Sequence, residues 1–166
     1  MVRQRSQHAA RDPSDYALGR ALDVAGRVTN ATVKRNPSRR AKTLTITSLV
    51  RGTTATASVG GATAQSALGL RSTWFSVGVL SLQPPAPNAP VTAGTRVVLD
   101  GVVRGVRDVV VQQRTQGMPW RKLKPVTPAA GGAIRLTVTP AVTTDYRLAT
   151  ARDAAAFVRI RVMPSG

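Results

Sequence analysis

The acidic residues of this chain are few and of one kind, which limits the chemistry that it can perform. All seven are aspartates, and the sequence contains no glutamate, no cysteine and a single histidine, His8. A zinc site needs several His, Cys or carboxylate ligands, and a nucleophile triad needs a histidine beside its nucleophile. The composition therefore predicts no metal site, no cofactor and no histidine-based triad. His8 itself lies in a polar tail without a partner residue for such chemistry.

An aspartate acting as general acid or base is the catalytic alternative that this composition leaves open. Asp23, Asp100 and Asp108 are the candidates, and none of them lies in a recognisable motif. Asp12 and Asp15 are explained by the cap and the first turn of a helix, where carboxylates are favourable. We therefore assign no catalytic residue and keep an aspartate-dependent hydrolase as an alternative hypothesis.

Residues suited to binding rather than catalysis lie in the middle of the chain, within residues 67–82 (ALGLRSTWFSVGVLSL). Arg71 offers a planar, two-pronged donor to a carboxylate or a glycan, and Trp74 could stack on a sugar ring. The opposing interpretation is that Arg71 pairs locally and fixes a turn, while Trp74 packs with Phe75 in a core. Because the neighbours of Trp74 are apolar, the pattern favours core packing for this side chain.

The run at residues 68–75 (LGLRSTWF) resembles the closing signature of the SpoIID/LytB domain, named for stage II sporulation protein D and the amidase enhancer. The resemblance covers roughly residues 12–77 and only the C-terminal part of that domain. Upstream it includes a helix at 14–24, a strand that begins near residue 26 and a basic turn at 38–40. The binding residues that it implies are Arg71, Ser72, Thr73 and Trp74.

The activity of this family defines the function that the resemblance implies for the chain. Members of the family act on peptidoglycan, either cleaving glycan strands as lytic transglycosylases with a glutamate as general acid/base, or enhancing an amidase. That glutamate belongs to the part of the domain that has no counterpart here. The resemblance thus implies a non-catalytic C-terminal portion of a cell-wall remodelling protein, located outside the cell. Its implied partners are peptidoglycan, an anionic wall polymer and, as a further candidate, a cell-wall amidase.

The sequence also bears on whether the chain carries an export signal or a membrane span. No apolar segment typical of a signal peptide is visible in residues 1–11, and no apolar run reaches the ~20 residues of a membrane span. Since the relatives that it resembles are mostly exported, we expect the chain to begin inside a longer protein. We expect no membrane span.

The charge of the chain is strongly positive, with 24 Lys and Arg against 7 Asp, a formal net charge of +17. The basic residues are scattered, and no run is longer than Arg39-Arg40. Diffuse positive charge suits any polyanion, including an anionic wall polymer or a phosphate backbone. A basic nucleic-acid-binding protein is therefore the third hypothesis, disfavoured because the sequence shows neither aromatic–basic interleaving nor a reading helix.

Hydrophobic periodicity and turn residues predict a mainly β protein in two parts joined by a proline-rich segment. A small α+β unit, incomplete because upstream strands of its parent sheet are missing, precedes an Ig-like or fibronectin-like β-sandwich. The predicted parts are a disordered tail at 1–11, the C-terminal part of a SpoIID/LytB-like domain at 12–83, a linker at 84–92 and the sandwich at 93–164.

The sandwich is predicted from six short strands that are separated by turn residues at regular spacing. Residues 133–139 and 157–163 alternate most clearly between apolar and polar side chains. With no cysteine pair, its core is expected to rest on Trp120, Tyr146 and aliphatic side chains. Tyr146 is expected to hydrogen-bond through its hydroxyl to nearby backbone.

Overall fold

The structure is a computed structural model that describes the backbone of residues 2–5 and residues 22–163 in full. The described chain is mainly β, as predicted, with three small sheets and one short helix, α1 (Gly61–Ala67). The strands are β1 (Val2–Arg5), β2 (Arg27–Arg35), β3 (Ala41–Val50), β4 (Thr53–Gly60), β5 (Ser76–Leu82), β6 (Val97–Arg104), β7 (Val110–Thr115), β8 (Arg121–Pro125), β9 (Ala133–Val138), β10 (Thr144–Ala149) and β11 (Val158–Ile160). The chain divides into two compact units, residues 1–79 and 80–166.

The first unit is built on an antiparallel sheet of β2, β3 and β4, with β3 in the centre. Strand β3 alternates: Leu44 and Ile46 are fully buried, and the flanking threonines Thr43, Thr45 and Thr47 point the other way. The outer strand β4 is largely exposed, because its threonines and alanines bury little apolar area. One face of this small sheet therefore carries most of its hydrophobic core.

Helix α1 follows β4 directly and packs on the start of β3. It buries Gly61 and Ala64, the residues that approach the sheet most closely. A Cβ atom at Gly61 would overlap the carbonyl oxygen of Ala41, so the helix can dock at this distance only with glycine there. This contact fixes where the chain leaves the helix towards β5.

The second unit contains two sheets, each with one buried face, as expected for the predicted sandwich. The last residues of β5 lie beside β6, which pairs with β9, while the other sheet has the order β11-β10-β7-β8. The first, second and fifth strands of the unit thus lie in one sheet, and the third, fourth, sixth and seventh in the other. Ig constant-type sandwiches divide the other six strands in this way, but they place the fourth strand in the first sheet.

The core of the second unit follows the predicted alternation. In β9 the side chains of Ile134, Leu136 and Val138 are buried, and the residues between them are exposed. In β10, Tyr146 is 2% exposed, and its burial raises the pKa of the phenol above the ordinary value, against a smaller opposing effect of its hydrogen bond with the Thr144 side chain. The prediction that Tyr146 and aliphatic residues form this core is confirmed.

Two expectations for the first unit meet a different outcome. Val2–Arg5, within the tail predicted to be disordered, forms β1 and pairs with residues 76–79 of β5, so the prediction is wrong for these four residues. The edge of β5 supplies hydrogen-bond partners for the backbone of these residues, and the local sequence pattern does not reveal such a pairing. The helix predicted at 14–24 lies almost entirely outside the described residues, and its described end, Leu22 and Asp23, forms a turn.

A buried hydroxyl in β3 leads to a stability prediction. Ser48 is 1% exposed, and its Oγ has no hydrogen-bond partner in the described part of the chain. Replacing it by alanine removes an unsatisfied polar group, so we expect Ser48→Ala to raise the free energy of unfolding by up to about 1 kcal/mol in urea titrations. Thr29→Val is the control, because the Thr29 hydroxyl donates to the Thr47 carbonyl oxygen at 3.2 Å. If Ser48→Ala and Thr29→Val lowered the free energy of unfolding equally, the Ser48 hydroxyl would have to have a hydrogen-bond partner in the folded protein.

Candidate binding site

The predicted binding residues lie in the loop that joins α1 to β5. The helix ends with the Leu68 amide donating to the Ala64 carbonyl, and Gly69 then adopts a left-handed conformation with φ of 62°. The Leu70 amide donates back to the Gln65 carbonyl at 2.9 Å, which completes the helix terminus. The chain therefore enters the loop of residues 71–75 from a fixed direction.

Two hydrogen bonds hold this loop against the neighbouring strands, and a third lies within the loop. The Ala41 amide donates to the Thr73 carbonyl at 2.8 Å, and the Ser72 hydroxyl accepts the Trp74 amide at 3.0 Å. The Phe75 carbonyl accepts a hydrogen bond of 2.7 Å from Arg35 of β2. The loop, which we call the Trp74 loop (residues 71–75), is thus held by its backbone at Thr73 and at Phe75.

Trp74 and Phe75 have opposite environments, which corrects the prediction for Trp74. Phe75 is 2% exposed and belongs to the core, whereas Trp74 is 56% exposed. Successive side chains of an extended segment point in opposite directions, so only one of two adjacent aromatic rings can enter the core. Phe75 does so, and the indole of Trp74 lies on the surface, where a ligand can reach it.

Arg71 is exposed, and its side chain makes no hydrogen bond or ion pair with any residue in the described ranges. The interpretation that Arg71 pairs locally and fixes the turn is therefore wrong. Arg35 does this instead, because its guanidinium donates to the carbonyl oxygens of both Arg39 and Phe75, at 2.8 and 2.7 Å. The donors of Arg71 are left for solvent or a ligand.

The surroundings of the Trp74 loop are basic. The β2–β3 turn carries exposed Arg39 and Arg40 and is closed by Asn36, whose side chain accepts the Arg40 amide at 2.9 Å. Because Ala41 bonds to Thr73, this turn lies beside the loop. No acidic residue occurs between Asp23 and Asp100, so no carboxylate in that part of the sequence offsets these charges. The loop combines an exposed indole with several guanidinium groups.

Two aspartates of the second unit, Asp100 and Asp145, act as ion-pair partners, and the Asp153 carboxylate accepts a hydrogen bond of 3.4 Å from the Thr150 hydroxyl. Asp100 pairs with Arg135 at 3.0 Å on the surface. Asp145 is buried and accepts from Arg159 and Arg114; the hydrogen bond from Arg159 is the main cause that holds its pKa below the ordinary value, against the opposing effect of burial. A carboxylate stabilised in its charged form is poorly suited to donate a proton. Within residues 22–163, no three His, Asp, Cys or Glu side chains cluster as metal ligands.

The structure also contains a cluster that the sequence analysis missed, on the outer face of the β11-β10-β7-β8 sheet. Trp120 was expected between the sheets, and that expectation is wrong. Its ring is half-buried on the outer face, and the guanidinium carbons of Arg147 and Arg114 lie 4.0 and 4.5 Å from its centroid. Strand alternation places these arginines outward, opposite to buried Val111 and Leu148.

The cluster continues to a second aromatic ring. Phe157 is exposed, its centroid lies 6.3 Å from that of Trp120, and the guanidinium carbons of Arg114 and Arg159 lie 5.3 and 5.6 Å from it. We call the set of Trp120, Phe157, Arg114, Arg147 and Arg159 the Arg–aromatic cluster. In the sequence, this cluster corresponds to one outward-facing arginine on each of three strands. That pattern can be recognised only when the pairing of the strands is known.

Comparisons with protein-family models, with curated proteins and with solved structures find no match for this chain. Among the described residues no helix is long and apolar enough to cross a bilayer.

Proposed function

We propose that the chain is a non-catalytic, C-terminal portion of a SpoIID/LytB-like peptidoglycan-remodelling protein that binds the cell wall outside the cell. The Trp74 loop would be its contact with wall glycan or anionic polymer. The observation that carries the proposal is the position of Trp74, which is 56% exposed on a loop held by hydrogen bonds, next to the unpaired side chain of Arg71. The LGLRSTWF run supplies the family to which this loop is compared.

Such binding would depend on the flat indole of Trp74 and on the hydrogen-bond donors of Arg71 beside it. An indole buries a large apolar area against the flat C–H face of a sugar with little loss of conformational entropy. The Arg71 guanidinium can donate two parallel hydrogen bonds to a carboxylate or a phosphate. Because the net charge of +17 attracts anionic polymers over a longer range, the association is expected to weaken as salt is added.

The proposal gives the chain a binding role without bond cleavage. The sequence contains no glutamate that could serve as the acid/base of a transglycosylase. Among the aspartates, Asp100 and Asp145 are engaged by arginines. A cell-wall amidase is a further candidate partner under this proposal, since a protein that holds wall material can present it to a hydrolase.

Cosedimentation with purified, insoluble peptidoglycan tests the proposal. We expect retention of the full chain at low salt and a loss of affinity of about tenfold in Trp74→Ala, which corresponds to the stacking energy of one aromatic ring. Arg71→Gln should lower the affinity by several-fold. Trp74→Phe, which keeps a ring, and Arg96→Gln, which removes an exposed charge from the second unit, are the matched controls. Equal retention of all four variants would contradict the proposed site, and no retention of the wild-type chain would contradict the proposed function.

A further inference from the structure

The Arg–aromatic cluster brings three positive charges together around one buried carboxylate. Arg114 and Arg159 both bond to Asp145, at 3.1 and 2.7 Å, and Arg147 bonds to the neutral side chain of Gln112 at 2.8 Å. Three guanidinium groups and one carboxylate leave two positive charges uncompensated within this contact network. The proximity of Arg114, after burial, is a cause that lowers the pKa of Arg147, so the charges repel one another.

The hydrogen bonds within the cluster use particular atoms of each guanidinium. Arg114 and Arg147 donate through Nε alone, to Asp145 and Gln112, and Arg159 donates through Nε and Nη2. Both terminal nitrogens of Arg114 and Arg147, and Nη1 of Arg159, therefore have no protein acceptor among residues 22–163. Terminal guanidinium nitrogens are the donors that form bidentate hydrogen bonds to phosphate and carboxylate oxygens.

These donors are held in place before any ligand arrives. Each guanidinium is fixed at Nε by a hydrogen bond and on its face by an aromatic ring, at 4.0 to 5.6 Å from ring centroids. An arginine loses much rotamer entropy when it is fixed in one position. In this cluster that entropy is lost on folding and not on ligand binding. The side chains remain accessible, since those of Arg114 and Arg159 are 33% and 48% exposed.

A cleft lies next to the cluster, at the end of β7. It has a volume of about 170 Å³, and Arg114 lines it together with Arg121, Met118 and Pro119. Arg114 thus belongs to both the cluster and the cleft wall. The cleft has room for a phosphate-sized group, and Arg114 is the residue of the cluster that lines it.

We propose that the Arg–aromatic cluster, with the adjoining cleft, is a binding site for phosphate-bearing ligands. An oxyanion of two negative charges neutralises the excess charge of the cluster and accepts from terminal nitrogens that the protein leaves unbonded. The aromatic rings stack on the faces of the guanidinium groups, so the ligand contacts N–H donors rather than an aromatic ring. This site lies wholly in the second unit and is independent of the Trp74 loop and of its proposed function.

Fluorescence of Trp120 provides the test, in a full-length Trp74→Phe chain in which it is the single tryptophan. Inorganic phosphate in its dianionic form represents a free ligand, poly(glycerol phosphate) a polymer-borne one, and succinate a dicarboxylate with the same charge as the phosphate dianion. We expect a saturable change with inorganic phosphate or with poly(glycerol phosphate), half-complete below about 1 mM at low salt, and a response to succinate at least about fivefold weaker. Which of the two phosphate ligands binds more tightly identifies the source.

Two variants connect the response to the proposed donors. Arg114→Lys keeps the charge but loses the guanidinium fork, and Arg147→Gln removes one charge; each should weaken phosphate binding at least about fivefold. Arg96→Gln, an exposed arginine outside the cluster, should leave it unchanged. Circular dichroism confirms that each variant folds, and a ligand-dependent rise in melting temperature gives a readout that does not depend on Trp120. The proposal is overturned if neither phosphate ligand gives saturable binding, or if the cluster variants bind as tightly as Arg96→Gln.

Discussion

Replacing Gly61 by alanine is expected to lower the free energy of unfolding of the first unit by about 3 kcal/mol or more. The added Cβ would overlap the Ala41 carbonyl oxygen and lie 2.6 Å from the carbonyl carbon. Both atoms belong to the backbone of β3 and cannot rotate away as a side chain would. Relief requires α1 to move off the sheet, which exposes Ala64 and opens a cavity beneath the helix. Urea denaturation followed by circular dichroism measures the loss.

The neighbouring glycine provides the control for this experiment. Gly60 has φ of −60°, and the nearest atom to an added Cβ would be the Thr63 hydroxyl oxygen at 3.7 Å. Gly60→Ala should therefore change the stability by no more than about 0.5 kcal/mol. If the two alanine variants were equally stable, the close approach of α1 to β3 would be wrong.

The docking of α1 also determines the geometry of the Trp74 loop. The loop begins at Arg71, ten residues after Gly61 in the sequence. The Thr73 carbonyl accepts a hydrogen bond from the amide of Ala41, the same residue that Gly61 contacts. Displacing the helix should therefore weaken the Ala41–Thr73 hydrogen bond. Amide hydrogen exchange at Ala41 is expected to accelerate in Gly61→Ala and to stay unchanged in Gly60→Ala.

The second large effect is expected at Asp145, the buried carboxylate of the Arg–aromatic cluster. Asp145→Asn removes the charge that accepts three hydrogen bonds from Arg114 and Arg159. Charge-assisted hydrogen bonds contribute more than neutral ones, but these arginines are partly exposed and can be hydrated in the variant. We therefore expect a loss of about 2 kcal/mol in the free energy of unfolding. Asp100→Asn, which breaks the exposed pair with Arg135, should cost no more than about 0.5 kcal/mol.

The stability that Asp145 contributes should depend on pH in a defined direction. The hydrogen bond from Arg159 is the largest cause that keeps the pKa of Asp145 in the folded protein below the ordinary value of 3.8. A lowered pKa stabilises the folded state above the unfolded pKa, and this stability is lost as the pH falls through the folded pKa. The difference in unfolding free energy between wild type and Asp145→Asn should thus be constant above about pH 5 and shrink in acid. A difference that grew in acid would contradict the assignment.

The regular strands could be predicted from the sequence because one face of each sheet is buried. Strand β9 (Ala133–Val138) ends one residue before the predicted segment of residues 133–139, and β11 (Val158–Ile160) lies within the predicted segment of residues 157–163. In both strands buried apolar residues alternate with exposed polar ones, and this period predicts a half-buried strand.

The environments of the aromatic residues could not be predicted in the same way. The sequence shows that Trp74 and Phe75 are adjacent, but the direction in which the chain leaves α1 decides which of them is buried. Trp120 lies just before a strand whose five residues are all exposed, so local periodicity gave no reason to place its ring outward. Its partners Arg114 and Arg147 come from strands that are paired in the sheet but distant in sequence.

Two tryptophans allow a direct test of the central claim, that the Trp74 loop contacts peptidoglycan glycan. The full-length, ¹⁵N-labelled chain has one indole N–H signal from Trp74 and one from Trp120. On titration with soluble, uncrosslinked peptidoglycan strands, we expect a saturable shift of the Trp74 signal, which is absent in Trp74→Phe, and a smaller or no shift of the Trp120 signal. An unchanged Trp74 signal at saturating glycan would show that the Trp74 loop does not contact the glycan.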